Sequence, residues 1–189
     1  MAYIEGFVAA VPAANKDAYI KHATDALPVF KEFGVTRMVE TWGDDVPDGK
    51  VTDFKGAVQA RDDEVVVFSW FEYPDKATRD AASQTIMADP RMEAMSKDMP
   101  FDGKRMIFGG FDSFVDDVPD GKVTDYRRAV KAEDGEAVVS SFVEWPSMAV
   151  RDEAWTKIMD DERMKPDPNG MPFDGKRMIY GGFSPIVDG

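Results

Sequence analysis

Apolar positions in this chain recur with two periods, two and about 3.6 residues, and their order along the sequence predicts the fold. Alternation over residues 3–11 marks a first strand, which Pro12 ends. An apolar stripe of Tyr19, Ala23, Ala26, Leu27, Phe30 and Phe33 then predicts an amphipathic helix, with Asn15 placed to cap its start and Gly34 to end it. Residues 35–42 read as a second strand, and the turn-rich GDDVPDGK follows. EVVVFSWFEY at 64–73 is the clearest strand, because it is dense in β-branched and aromatic side chains. Pro74 and Asp75 open a second helix with Thr78, Ala82, Ile86 and Met87 on one side, and residues 104–115 read as a fourth strand. The order is βαββαβ, the ferredoxin-like pattern of an α+β protein.

The chain then repeats itself. DDVPDGKVTD begins at Asp44 and again at Asp116, and MPFDGKRMI begins at Met99 and again at Met171, the same 72-residue offset in both cases. The register holds without a gap: Glu72 matches Glu144, Pro74 matches Pro146, Arg79 matches Arg151 and Met87 matches Met159. Nothing after Asp116 corresponds to the first strand and helix. Residues 1–116 therefore read as one complete βαββαβ unit, and residues 117–189 as a βαβ half-repeat matching 45–117. In all, the pattern predicts six strands and three helices.

Several of these stretches are long and specific: GFVAAVP, PVFKEFG, WGDDVPDGKVTDF, VFSWFEYP, DPRM and MPFDGKRMIFGGF. Together they resemble the YbaA-like family of uncharacterised bacterial proteins, placed in the dimeric α/β-barrel superfamily. The resemblance runs from Met1 to about Asp116, and the second copy matches only the family's latter half. It implies a subunit whose sheet faces that of a partner across a cavity, hence a homodimer. It brings no activity with it, and the chain departs from the family by its additional half-unit.

Charge and composition narrow the partners. With 36 acidic and 23 basic side chains the net charge is −13, which repels phosphate backbones and anionic lipid surfaces, so neither nucleic acid nor membrane is an expected partner. There is no cysteine, which excludes disulfides, thiolate catalysis and cysteine-based metal centres. The start lacks a basic n-region, and no apolar run approaches the roughly 18 residues of a membrane span, so a cytoplasmic protein is expected.

Candidate chemistry comes from strand parity. Tyr3, Glu5, Phe7 and Ala9 share one face of the first strand; Met38, Glu40 and Trp42 share one of the second. Val66, Phe68, Trp70 and Glu72 lie together on the third, and Met106, Phe108, Asp112 and Phe114 on the fourth. Each strand thus offers a face that mixes rings with a carboxylate. Taken as one common side, these faces are too apolar for water and should pack on another sheet, while the smaller opposite faces lie under two helices. Within such a cavity Glu72, Glu40 and Glu5 are the candidate catalytic acids or bases, their pKa values raised by desolvation. Trp42, Trp70, Tyr3, Phe68 and Asp112 are the candidate ligand contacts. The alternative is that these carboxylates reach solvent or pair with arginines.

His22, the single histidine, stands beside the helix stripe, where it could act as a base or, since some members of the resembled superfamily bind haem, as a haem ligand. A lone helical histidine is more often a partly exposed side chain, and no cofactor is expected. No metal site is expected either. One histidine cannot build a multi-histidine centre, and Asp44, Asp45 and Asp48 fail calcium-loop spacing at Val46 and Lys55. The repeated FDGKR is a glycine turn followed by two cations, an anion site or a structural turn. Two differences between copies matter: Ser83 becomes Trp155 and Trp70 becomes Phe142, which would leave any pocket in the complete unit.

Two functional classes follow. One is a small-molecule binder or cofactor-independent enzyme of the dimeric α/β-barrel type, using the ring-lined face. The other is a non-catalytic interaction or stress-related protein, in which that face is only a packed subunit interface.

Overall fold

The computed structural model describes residues 2–112, 116–165 and 170–189. Two compact units are formed, Met1–Val139 with Arg177–Gly189, and Ser140–Lys176.

In the first unit the expected elements form near their expected limits. Strand β1 (Tyr3–Pro12) leads through a 3-10 turn into α1 (Lys16–Glu32), which ends where Gly34 adopts a φ of +95°. Asn15 flanks α1 but does not cap it. Its side-chain amide instead donates to the Pro100 carbonyl at 2.8 Å. Next come β2 (Arg37–Asp45), the single-turn α2 (Phe54–Ala57) and β3 (Glu64–Tyr73). Helix α3 (Lys76–Ile86) is capped by Asp75, whose carboxylate accepts from the Thr78 N–H at 2.8 Å. Helix α4 (Pro90–Lys97) is absent from the sequence expectation, although Asp89 caps it and Pro90 stands at its first turn. Strand β4 (Ile107–Phe111) is shorter than expected, and Phe114 lies outside the described residues.

The second copy folds differently from the βαβ order read for it. Asp116–Asp117 form a two-residue strand, β5, and Tyr126–Ala129 a single-turn helix, α5. Residues 136–145, which copy β3, form no strand. A central strand depends on neighbours on both sides, and β3 has β1 and β2, whereas the half-copy holds no counterpart of β1 and only the last two residues of β2, as β5. Helix α6 (Met148–Asp160), in the second unit, does form, with Ser147 capping it. Strand β6 (Gly182–Asp188) returns to the first unit and pairs with β2. The result is one six-stranded sheet, ordered β5-β4-β1-β3-β2-β6, with every neighbouring pair antiparallel.

Helices α1 and α3 cover one side of this sheet. There Ala23 and Ala82 pack on Tyr3, Met38, Phe71 and Tyr73, and Tyr19 packs on Ala9, Val11 and Val67. The other side carries Val8, Ala10, Val66 and Ile107, and is covered by Ala57, Val58, Tyr126, Ala129 and Val138. No helix among the described residues is long and apolar enough to cross a membrane.

Candidate functional site

Strand register decides which candidate residues meet. Tyr3 pairs with Tyr73, Glu5 with Phe71 and Phe7 with Ser69, whereas Ile4 pairs with Glu72 and Gly6 with Trp70. Residues directly opposite in a pair share a side, so Glu5 lies on the Phe71 side and Glu72 on the Gly6 side. On β2, Met38 pairs with Phe71 and Glu40 with Ser69. Glu5, Glu40 and Phe108 therefore share the side beneath α1 and α3, while Phe68, Trp70 and Glu72 occupy the other. This corrects the expectation of one common ring-and-carboxylate side. The small-residue face of β1 is not the one under α1 and α3; Tyr3, Phe7 and Ala9 are. Parity within a strand is legible in a sequence, but relative parity between strands depends on register, and a one-residue slip inverts it.

Under α1, Glu40 is buried among polar partners. The Tyr19 hydroxyl donates to its Oε2 at 2.5 Å, and the Ser69 hydroxyl donates to the same oxygen. Burial pushes the Glu40 carboxyl up, against the lowering effect of the two hydroxyls, and pushes the Tyr19 phenol well up, helped by the adjacent carboxylate. Trp42 closes this cluster with its ring centroid 6.4 Å from that of Tyr19, and the Lys16 ammonium lies 5.1 Å over the indole. Glu40 thus has a raised pKa and is held by the protein's own hydroxyls.

Further along the same side, Arg79 of α3 organises Tyr3 and Glu5. Its Nη2 donates to the Tyr3 hydroxyl at 2.7 Å, its guanidinium lies 4.9 Å over the Tyr3 ring, and its Nε is 3.6 Å from Glu5 Oε1. Burial, and then the Glu5 charge, push the neighbouring Tyr73 phenol up. Gly110 on β4 is required here, since a Cβ would collide with the Tyr3 hydroxyl and Arg79.

On the opposite side, the Trp70 indole N–H donates to Glu72 Oε1 at 3.2 Å, and Arg37 Nη1 lies 3.5 Å from the same oxygen. Arg37 is also bidentate to Asp188 of β6, both contacts at 2.9 Å, which holds the Asp188 carboxyl below its ordinary range. The Phe68 ring lies tilted against Trp70 and against Phe183, with centroids 5.8 Å apart in each case. Asp112 is exposed just beyond β4, and His22 is half-buried on α1, its pKa lowered by burial. Neither approaches the carboxylate clusters through any of the contacts above.

The repeated FDGKR has a structural role in both copies. Arg105 is bidentate to Glu64 at 2.7 and 2.6 Å and donates to the Gln59 carbonyl at 2.7 Å, and Arg177 does the same with Glu136 at 2.6 and 2.6 Å and with the Lys131 carbonyl at 2.8 Å. Each arginine thereby fixes a residue in the left-handed region, Gln59 at φ +50° and Lys131 at φ +52°. Sequence reasoning noted the cations but could not name their acids, which stand 41 residues upstream. It also passed over Tyr19, Ser69, Arg79 and Arg37 as site residues, because a single tyrosine or serine in a strand or helix stripe reads as core.

A cleft of about 370 Å³ lies between the two copied turns, lined by Thr52, Asp53 and Gln59 of the first and Thr124, Arg128 and Lys131 of the second. None of the sequence-derived candidates lines it. Arg128 and Lys131 stand where the first copy has Gly56 and Gln59, so the second copy brings the cations.

The antiparallel α+β sheet with its polar clusters beneath the helices defines the class of protein, and similarity in sequence then gives the family. Residues 2–103 and 109–175 match the family described as Protein of unknown function (DUF1428), and the chain belongs to that family. The matched segments end 72 residues apart, the same offset as the repeat. The chain is also 62% identical over 117 residues to the proteins described as Uncharacterized protein YbaA from Escherichia coli K12, Escherichia coli O157:H7 and Shigella flexneri. That alignment covers 62% of this chain and the whole of each relative.

Proposed function

We propose that this is a non-catalytic interaction protein, built on a ferredoxin-like βαββαβ unit of the dimeric α/β-barrel type spanning residues 1–116, with residues 117–189 as an appended half-repeat. The observation that carries the reading is that each candidate acid is engaged by a partner belonging to the fold: Glu5 by Arg79, Glu40 by Tyr19 and Ser69, Glu72 by Arg37 and Trp70. A general acid or base needs a lone pair or proton directed at substrate, and these groups spend theirs on neighbours that also position the helices and β6. The sheet side bearing Val8, Val66 and Ile107 is packed as core.

The test is a thermal-shift screen of metabolites on the full chain, since a ligand that binds only the folded state raises the melting temperature. The reading expects no hit that depends on these side chains. A hit lost in both Glu40→Gln and Trp42→Ala, whose side chains belong to the one cluster beneath α1, would overturn it.

A second reading, small-molecule binding, is favoured by the cleft between the copied turns. Its size falls in the range of ligand sites, and Arg128 and Lys131 suit an anionic ligand. Hits abolished by Lys131→Gln and kept in Glu72→Gln would select it.

A further inference from the structure

The 72-residue offset recurs in space as well as in sequence. The Thr52 hydroxyl donates to the Ala129 carbonyl, and the Thr124 hydroxyl donates to the Ala57 carbonyl at 2.7 Å. Thr124 is the copy of Thr52 and Ala129 the copy of Ala57, so the two bonds exchange under the offset. The rings obey the same rule. Phe54 meets Phe183 edge-on at 5.2 Å and 87°, and their copies exchanged, Tyr126 and Phe111, meet at 5.4 Å and 87°. In the sheet, Asp45 of β2 pairs with Gly182 of β6, while Asp117 of β5 pairs with Gly110 of β4. A Cβ on Gly109 would stand 3.1 Å from Val118, and one on Gly181 would stand 3.3 Å from Val46. Within the core these contacts enclose, Val66 lies with Val138, Ile107 with Ile179 and Val58 with Val130.

Contacts in which i meets j and the copy of j meets the copy of i are the signature of an isologous interface, the kind that joins two identical subunits about a twofold axis. Here both sides belong to one chain and to the same compact unit. Four kinds of contact, namely hydroxyl to carbonyl, ring to ring, strand to strand and valine against glycine, follow the same exchange. An arbitrary packing of a duplicated segment would not be constrained to satisfy any of them.

We infer that the face formed by residues 45–66 and 107–111 is a self-complementary docking surface for a second copy of itself, and that residues 117–138 with 179–183 occupy it in cis. The duplicated segment takes the place of a partner subunit, which explains why this half of the unit was copied and why the copy lacks counterparts of β1, α1 and all but the end of β2. It needs only the docking half. A second protomer is then not required to cover this side of the sheet, and the full chain is a monomer.

The experiment is light scattering of the full chain at about 20 μM, with two sets of variants. The wild type is expected at the mass of one chain, 21.0 kDa; the mass of two chains overturns the inference. Ala129→Arg, which disturbs the covering copy alone, is expected to free the docking face and shift the mass to two chains with the circular dichroism retained. A folded one-chain variant overturns it. Should Ala129→Arg fail to fold, Thr52→Val and Thr124→Val decide. A self-complementary surface requires both to lower the melting temperature by comparable amounts, whereas a loss confined to one of them shows that the resemblance between the two halves is not an interface.

Discussion

Two copies of one ion pair in a single chain allow an internally controlled experiment. Arg105 and Arg177 make the same bidentate contact, but the first pair is enclosed and the second is not. Arg105 and Glu64 have side-chain exposures of 9% and 3%, against 21% and 39% for Arg177 and Glu136. Replacing Arg105 by Met leaves the Glu64 carboxylate buried with the Arg61 backbone N–H, 2.8 Å away, as its remaining donor among the contacts described. Breaking a buried pair from one side costs about 3–5 kcal/mol. We expect roughly 3–4 here, since the Gln59 carbonyl also loses its donor. Arg177→Met abandons a carboxylate that water can reach, and should cost about 1 kcal/mol or less. In urea titrations followed by tryptophan fluorescence, with m of about 2 kcal/mol/M, the midpoints should fall by roughly 1.5–2 M and by less than about 0.5 M respectively. Equal falls, or a larger fall for Arg177→Met, would show that burial does not set the value of these pairs. The pH dependence adds a second readout. Arg105 holds the folded-state pKa of Glu64 at about 2, below its unfolded value, so its contribution is complete above the ordinary carboxylate range and is lost as pH falls toward 2. In Arg105→Met the largest cause of that lowering is gone, so the loss of stability toward low pH should be smaller than in the wild type.

Two further outcomes are expected. The Tyr126 hydroxyl is buried and finds no hydrogen-bond partner among the described residues, and the first copy has Phe54 at the equivalent position; Tyr126→Phe should therefore stabilise the chain by about 1 kcal/mol in urea denaturation, and a loss of stability would reveal a hidden partner. Glu40 has a folded-state pKa above its unfolded value, so its contribution is complete below the unfolded pKa and is lost as pH rises through the folded one. The stability difference between Glu40→Gln and wild type should move in the variant's favour from pH 4 to pH 8 in melting-temperature measurements. A difference independent of pH would mean that folding does not raise the Glu40 pKa.

How much of this was legible in the sequence varies with the kind of signal. Strand β3 has the limits its composition announces, because aromatic and β-branched residues leave few other conformations, and α1 ends where Gly34 supplies a left-handed φ. Helix α4 escaped notice because PRMEAMSK has only a weak apolar stripe, although Asp89 and Pro90 are a proper start signal. The candidate site was legible as residues but not as an arrangement. Glu5, Glu40 and Glu72 are each close to rings, yet the hydrogen-bond register between β1 and β3 sends them to two sides of the sheet. The copy of β3 shows the limit most plainly, since a related β-branched and aromatic stretch forms a strand at 64–73 and none at 136–145, where β1 is missing as a neighbour.

The strand order has one more consequence, for what the molecule does not do. The sheet of β4, β1, β3 and β2 would end in two bare backbone rims, and bare rims recruit other chains into fibrils. Here the rim of β4 is capped by the two-residue β5 and that of β2 by β6, which carries Pro185, a residue with no N–H to offer a newcomer, and the acid Asp188. A chain trimmed by proteases before residue 116 would lose both caps at once. The freed rims and docking face should then pair with those of a second trimmed chain, read as a two-chain mass in light scattering.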